Sequence, residues 1–337
     1  MRTAVLLLAL TLLLPAAAQL ERVGAQAVPQ SGGGLTVVEV QEHFYMIAGA
    51  GSNVGVSIGS DGVVLVDAGA ADKADQLLAE IKRLTRQPIR YIINTSADAD
   101  HVGGNATLSL AGLPILPAGY QRQALVGRDY APILAEERVL NRMSAPTGQQ
   151  APFPVAAWPT STYSVEAGET QRKLLLNREG IQVMYQPAAH TDGDSLVHFR
   201  RSDVLITGDI MDTTRFPVID IAKGGSIQGV LNSLNRILDI AISSTPFPFQ
   251  EGGTMIIPGH GRLCATTDAV DYRDMVSIIR DRVQDLISKG MTLEQIHQAN
   301  PTAGYRRQYG SDTGPWTTHM FVEAIYKGLT TKEVSER

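Results

Sequence analysis

Residues 94–105 read Asn-Thr-Ser-Ala-Asp-Ala-Asp-His-Val-Gly-Gly-Asn, which places two acids and a histidine after an apolar segment. That segment, residues 91–93 (Tyr-Ile-Ile), predicts a buried strand. Alternate residues of an extended chain share a face, so we expect Ser96, Asp98 and Asp100 to point the same way. The two glycines make a turn easy, so that the neighbouring acid and histidine can face one point. The stretch is therefore a candidate site at the end of a strand.

Three more chemically active side chains occupy comparable positions further along the chain. His190 and His260 each follow a predicted core strand, as His101 does, and Asp209 follows another in Thr-Gly-Asp. Loops at the ends of core strands are where open sheets place their ligands. Three converging carboxylates would repel one another unless a cation or raised pKa values relieved them. Because imidazoles offer neutral nitrogen ligands to such a cation, the pattern predicts a metal site.

Composition narrows the class of protein. An apolar share of 44 % argues against a disordered chain. The single cysteine, Cys264, excludes an internal disulfide framework and a thiolate zinc cluster, so any metal must be held by histidines and carboxylates. The net charge of −5 argues against a basic nucleic-acid-binding face. We expect a small-molecule substrate and no nucleic-acid partner.

The first 18 residues predict a secretory signal peptide. Arg2 precedes an unbroken apolar run over residues 4–14, and small residues lead to a cleavage site after Ala18, with Ala27 as the alternative. The run is shorter than the ~20 residues that a membrane span needs, so we expect no stable membrane anchor. The mature protein is then periplasmic or secreted, and residues 19–35 form a flexible linker. An uncleaved N-terminal anchor is the alternative.

Short strands rich in Val and Ile alternate with amphipathic helices in two successive blocks, which predicts an α/β or α+β class with layered sheets. Residues 145–159, rich in Pro, Ala and Gly, predict a covering loop. The predicted strands are 36–40, 43–48, 54–58, 63–67, 91–93, 173–176, 181–185, 196–199, 204–207 and 255–257. Helices are predicted at 71–84, 121–142 and 227–241, and from 268 onward.

The order of the motifs resembles that of the metallo-β-lactamase fold superfamily. Its hallmark is an N-T-H-x-H-x-D-H stretch, then a lone His, a bridging Asp and a last His. In this chain residues 94–105, His190, Asp209 and His260 follow the same order, and Asp67 ends a strand as the family's supporting Asp does. The resemblance covers roughly residues 37–263. It implies a four-layer αβ/βα sandwich over residues 36–265, with residues 266–337 as a C-terminal helical extension.

The chain departs from the family where Ser96 and Asp98 replace the first two histidines. In the family those two and the lone His hold the first metal, whereas the Asp-His pair and the last His hold the second. The first-metal set is thus reduced to His190, Asp98, the weak ligand Ser96 and a share of the bridging Asp. The second-metal set is complete: Asp100, His101, His260 and the bridging Asp209.

Three arrangements stay open. In one, the complete set holds a single ion, His190 acts on substrate or water, and Asp98 is the general base. In another, Asp98 joins a two-metal site that favours Mn or Fe over Zn. In the third, the site has lost metal. We expect a divalent metal, zinc in the first place, with one ion rather than two, and we take Asp98, Asp100 and His190 as candidate catalytic residues.

A metal at this site implies hydrolysis, because a bound cation acidifies water and polarises a carbonyl or ester. We therefore expect an exported metal-dependent hydrolase acting on a small-molecule ester, lactone, thioester or amide. The alternatives are a binding or scaffold protein that kept the fold but lost catalysis, and a metal-linked redox or accessory enzyme. Phe153 and Trp158 are interpreted either as a substrate lid or as anchors of a surface loop. Cys264 is expected to be an inert buried thiol.

Overall fold

The computed structural model describes residues 34–115, 130–145, 153–243 and 252–335. The predicted signal peptide and nearly all of the predicted linker lie outside these residues. Within these ranges, none of the helices combines the length and the apolar character needed to cross a bilayer.

Seven strands form the first sheet, and their spatial order follows the order of the chain. The first four are antiparallel, and the last four, which share the fourth strand, are parallel. The strands are β1 (Thr36–Gln41), β2 (Phe44–Ala50), β3 (Ser52–Gly59), β4 (Gly62–Val66), β5 (Ile89–Ile93), β6 (Ile133–Glu136) and β7 (Ser161–Tyr163).

Five strands form the second sheet, in the order β12-β11-β10-β9-β8. Only the β11–β12 pair of this sheet is parallel among the described residues. The strands are β8 (Gln171–Leu176), β9 (Glu179–Gln186), β10 (Asp194–Phe199), β11 (Val204–Asp212) and β12 (Met255–His260).

Helices cover the outer faces of both sheets. The side chain of Ser226 caps the longest helix before the C-terminal segment by accepting from the Gly229 backbone, and Thr292 with Gln295 forms the predicted capping box. The helices are α1 (Ala74–Leu84), α2 (Ala99–Val102), α3 (Asn105–Leu110), α4 (Glu137–Ser144), α5 (Ile227–Ile240), α6 (Thr266–Ser288), α7 (Leu293–Ala299), α8 (Arg306–Tyr309) and α9 (Thr318–Ser335).

Three apolar clusters hold the layers together. Between the sheets, the fully buried rings of Phe44 and Phe199 meet edge to face with centroids 4.8 Å apart. On the outer face of the first sheet, α1 and α3 pack through residues such as Leu77 and Leu108. On the outer face of the second sheet, α5, α6 and α9 share one cluster with it. The layers are helix, sheet, sheet and helix, which confirms the predicted sandwich and its helical C-terminal extension.

The predicted helix over residues 121–142 is wrong in part. Ile133–Glu136 is the strand β6, paired in parallel with β5 and β7, and only Glu137–Ser144 is helical. All four residues of β6, including Glu136, are buried, as expected of an inner strand of a parallel sheet, so the strand carries no period-two signal. Residues 121–129 and 146–152 of the predicted helix and covering loop lie outside the described part of the chain.

Candidate metal centre

The six predicted ligands converge at one end of the two sheets. The pairs β4–β5 and β11–β12 are parallel, so the carboxyl ends of these strands open toward the same region of each sheet. The six side chains come from four segments: Asp98, Asp100 and His101 at α2, His190 between β9 and β10, Asp209 in β11, and His260 at the end of β12.

The ligand atoms fall into two sets of three. We call Asp100, His101 and His260 the Asp100 group, and Asp98, His190 and Asp209 the Asp98 group. Within each group the potential ligand atoms lie within 4.8 Å of one another. The sequence predicted that these residues would meet, and the structure brings them together in these two clusters.

Asp209 connects the two groups. Its Oδ1 lies 3.1 Å from His101 Nε2 and 3.3 Å from His260 Nε2, while its Oδ2 lies 3.8 Å from His190 Nε2. Gly259 leaves room for this carboxylate, since a Cβ there would lie only 2.3 Å from Asp209 Oδ1. One carboxylate thus faces three imidazole nitrogens, as the bridging position predicted for it requires.

Asp67 orients His101 from behind. The His101 Nδ1 donates to Asp67 Oδ2 at 2.8 Å, and Thr95 donates to the same carboxylate through its backbone nitrogen and its hydroxyl. Asp67 is buried and has a positive φ of 64°, a conformation that non-glycine residues seldom adopt and that clusters at functional sites. With Nδ1 bonded to Asp67, the nitrogen that faces Asp209 and is placed to bind a cation is Nε2. Asp67 therefore braces the site, as the sequence predicted.

The Asp98 group has a partner that the sequence did not reveal. Asp98 Oδ2 accepts from His190 Nε2 at 2.8 Å, and Asp98 Oδ1 accepts from Lys223 Nζ at 2.9 Å. Burial works against ionisation of Asp98, but the hydrogen bond from His190 and the charge of Lys223 outweigh it and hold the pKa well below its usual range. Lys223 stands far from any histidine motif, and no periodic pattern marks it.

His190 carries a proton on each ring nitrogen in this arrangement. Its Nδ1 donates to the Val218 carbonyl at 2.8 Å, while its Nε2 donates to Asp98. Burial lowers the pKa of His190, but the hydrogen bond and the charge of Asp98 raise it further, to about 10. The Asp98–His190 pair is thus an ion pair at neutral pH.

The Asp100 group and Asp209 have the chemistry of a divalent-cation site. Two imidazole nitrogens face one carboxylate oxygen, an arrangement that repels unless a proton or a cation lies between them. Burial lowers the pKa of His260, yet its hydrogen bonds to Asp100 and Asp209 raise that pKa to about 9. Protons thus bind to nitrogen and oxygen atoms that could bind a cation instead. Mixed imidazole and carboxylate ligands suit Zn²⁺ and other divalent transition metals.

A pocket of about 280 Å³ opens onto both groups. Besides the ligands, its wall contains the cations Arg215 and Lys223 and the apolar residues Pro315 and Trp316. The last two precede α9, so the C-terminal extension contributes to the pocket. The fully buried ring of Phe216 stacks on Phe321 of α9 at 4.8 Å and ties this extension to the segment after β11.

The remaining sequence predictions have mixed outcomes. Phe153 and Trp158 pack on the cluster around α4, and Trp158 Nε1 donates to the Phe153 carbonyl, which favours the anchored-loop interpretation. Cys264 is buried, as predicted, and burial raises the pKa of its thiol to about 12, which favours the thiol over the reactive thiolate.

Four local predictions at the site are wrong. His101 lies in the helix α2 and not in a loop. Asp209 lies within β11 and His260 is the last residue of β12, so neither follows its strand. Because α2 begins at Ala99, the alternation of an extended chain stops there: Asp98 turns to His190, whereas Asp100 turns to His260. The parallel pairing of β11 with β12 continues beyond Asp209, as far as Asp212 and His260. The local composition around Asp209 does not reveal this pairing.

The comparisons with known proteins agree with this geometry. The sequence profile of the metallo-beta-lactamase superfamily matches residues 48–260. The structure of the stereoselective inverting sec-alkylsulfatase Pisa1 from Pseudomonas sp. superposes with a TM-score of 0.60 at 16% identity, over 87% of this chain and 50% of that one. The metallo-beta-lactamase from Pontibacter korlensis superposes with a TM-score of 0.52 at 16% identity, over 72% and 99%.

This chain thus spans half the length of the alkylsulfatase structures that it matches. Structural superpositions at such low sequence identity establish a common fold and do not determine the substrate. The profile, by contrast, covers more than half of the chain and includes the stretch from β2 to the last histidine of the site. On the combined evidence of profile, sandwich and ligand order, the chain belongs to the metallo-beta-lactamase superfamily.

Proposed function

We propose that this protein is an exported metal-dependent hydrolase that acts on a small-molecule ester, lactone, thioester or amide. The observation that carries the proposal is Asp209, whose carboxylate faces the Nε2 atoms of His101, His260 and His190 beneath an open pocket. Imidazole nitrogens and carboxylate oxygens grouped in this way are typical of a catalytic metal site.

The ligands of the metal in this proposal are Asp100, His101, Asp209 and His260. A divalent cation held there supplies Lewis acidity, which acidifies water and polarises a scissile carbonyl or ester oxygen. Zinc is the proposed ion because two imidazoles and two carboxylates suit it, with manganese or iron as alternatives. Asp67 fixes the ring of His101 and so presets one ligand before binding.

The Asp98–His190 pair handles the proton in this proposal. Asp98 lines the pocket and holds a proton on His190 Nε2, 2.8 Å away. Because Asp98 keeps this imidazole protonated, His190 can donate a proton to the leaving group.

The proposal of export depends on the N-terminal sequence alone. Arg2, the apolar run of residues 4–14 and the small residues before Ala18 have the order of a secretory signal. N-terminal sequencing of protein from the periplasm or the medium tests this part, and a protein that keeps Met1 in the cytoplasm would contradict it.

Metal analysis followed by a substrate panel tests the enzymatic part. The mature protein, purified from metal-replete medium, should contain one divalent ion per chain, hydrolyse at least one substrate class, and lose that activity reversibly with a chelator. Less than about a tenth of an equivalent of any transition metal would instead favour a binding or scaffold protein. Iron without hydrolytic activity would favour a redox or accessory enzyme.

A further inference from the structure

Lys223 lies inside the Asp98 group. Its ammonium is 2.9 Å from Asp98 Oδ1 and 3.1 Å from Asp220 Oδ2, and its side chain is 39% exposed toward the pocket. The carboxylate of Asp98 therefore has both oxygens engaged, one by Lys223 and the other by His190. These are the atoms that a cation in the Asp98 group would need.

The backbone holds this lysine firmly in place. Its nitrogen donates to the backbone and side-chain oxygens of Asp220, both at 3.0 Å. Its carbonyl accepts from the Asp192 nitrogen at 2.9 Å and from Arg142 at 2.8 Å. Gly224 ends the turn with a φ of 81°, and a Cβ there would lie 3.0 Å from Asp192. The backbone of Lys223 is thus held in a fixed turn, and its ammonium is held by Asp98 and Asp220.

The Asp100 group has no comparable cation. In the described part of the chain, Asp100 pairs with His260, and neither lysine nor arginine forms a hydrogen bond or an ion pair with any of the three residues of that group. A divalent ion entering the Asp100 group meets carboxylate and imidazole donors alone. One entering the Asp98 group meets an ammonium that is already bound to its carboxylate, and the two positive charges repel at short range.

We propose that Lys223 limits the centre to one divalent ion, because its ammonium supplies the positive charge that a second ion would bring to Asp98, His190 and Asp209. Removal of that charge opens a second metal site at these three residues. The inference depends on the proposed function only in that the Asp100 group must hold the first ion.

Zinc stoichiometry tests this inference without reference to activity. The wild type, Lys223→Met and Lys223→Arg are equilibrated with excess Zn²⁺, desalted and analysed for metal per chain. We expect one ion for the wild type and for Lys223→Arg, which keeps the charge, and two for Lys223→Met. Calorimetric titration should show the second ion binding at least about tenfold more tightly to Lys223→Met than to the wild type.

Three controls locate the effect. Lys82→Met removes an exposed lysine from α1 and should keep one ion. Adding Asp98→Asn to Lys223→Met should return the count to one, since the second ion needs that carboxylate. Lys223→Gln repeats the test with a polar side chain, and thermal melting checks that each variant is folded.

The outcomes separate the two proposals. One ion in the wild type and one in both folded Lys223→Met and Lys223→Gln overturns the inference and leaves the proposed function standing. Two ions in the wild type also overturn it, since the lysine then excludes nothing. No ion in the wild type overturns the proposed function and this inference together.

Discussion

The histidines of the Asp100 group and of the Asp98 group face the same carboxylate, that of Asp209, but the two groups differ in the charged residue that hydrogen-bonds to their ligands. Asp67, an anion, supports the Asp100 group by orienting His101. Lys223, a cation, occupies the Asp98 group by pairing with its acid. An anion behind an imidazole strengthens it as a ligand, whereas a cation on a carboxylate competes with metal. The sign of this neighbouring charge therefore distinguishes the group that we propose to bind a metal ion from the group that holds a proton on His190.

Asp209→Asn should have the largest effect, because this carboxylate faces histidines of both groups. Loss of the shared anion is expected to weaken zinc binding by more than about a hundredfold. This loss exceeds the one expected when a residue that only hydrogen-bonds to a metal ligand is removed. Competition with a chromophoric chelator measures this affinity. Asp72→Asn, on an exposed turn before α1, is the matched control. Unchanged affinity in Asp209→Asn would contradict the placement of the ion.

Asp98→Asn should separate proton transfer from metal binding. The Asp100 group keeps its ligands, so zinc affinity should change by no more than about threefold, whereas kcat should fall by about 10²–10⁴-fold, the range for loss of a general acid–base. Steady-state kinetics on the best substrate of the panel, with metal content measured in parallel, checks both. A variant that loses its metal along with its activity would place Asp98 among the ligands.

Asp67→Asn should weaken the Asp100 group selectively. Asparagine tolerates the positive φ of this position, so the backbone is kept while the negative charge behind His101 is lost. Zinc affinity is expected to fall by about 10–100-fold. The same chelator competition measures this loss. An affinity equal to that of the wild type would show that the contact between Asp67 and His101 is structural only.

The double change Ser96→His with Asp98→His should have the smallest effect, a twofold rise in zinc stoichiometry toward two ions per chain. It supplies two imidazoles to the Asp98 group and removes the acid that holds Lys223. Metal analysis after equilibration with zinc measures the count, with Ser96→Ala as control. Ser96 is buried, so the double variant must first be shown to fold by its melting transition. A folded variant that still holds one ion would mean that the altered residues are not what leaves this group without metal.

Much of the centre was predictable because its residues come after apolar runs that form strands. His101, His190, His260 and Asp209 could be placed at one edge from the apolar runs before them, since strand ends in open sheets meet there. Asp67 could be predicted as a bracing acid from its place after β4. Lys223 could not, because its ammonium pairs with Asp98 and its carbonyl accepts from Asp192 and Arg142, which are distant in sequence, and no local pattern reports such contacts.

The amino-acid sequence by itself determined the superfamily, the layered sandwich and the set of candidate metal ligands, because strand periodicity and motif order are local properties of the chain. Only the tertiary structure decided how those side chains divide into two groups, that β6 is an inner strand and that a lysine neutralises Asp98. Each of these depends on distances between segments far apart in sequence, and electrostatic interaction energies follow distance in space and not separation along the chain.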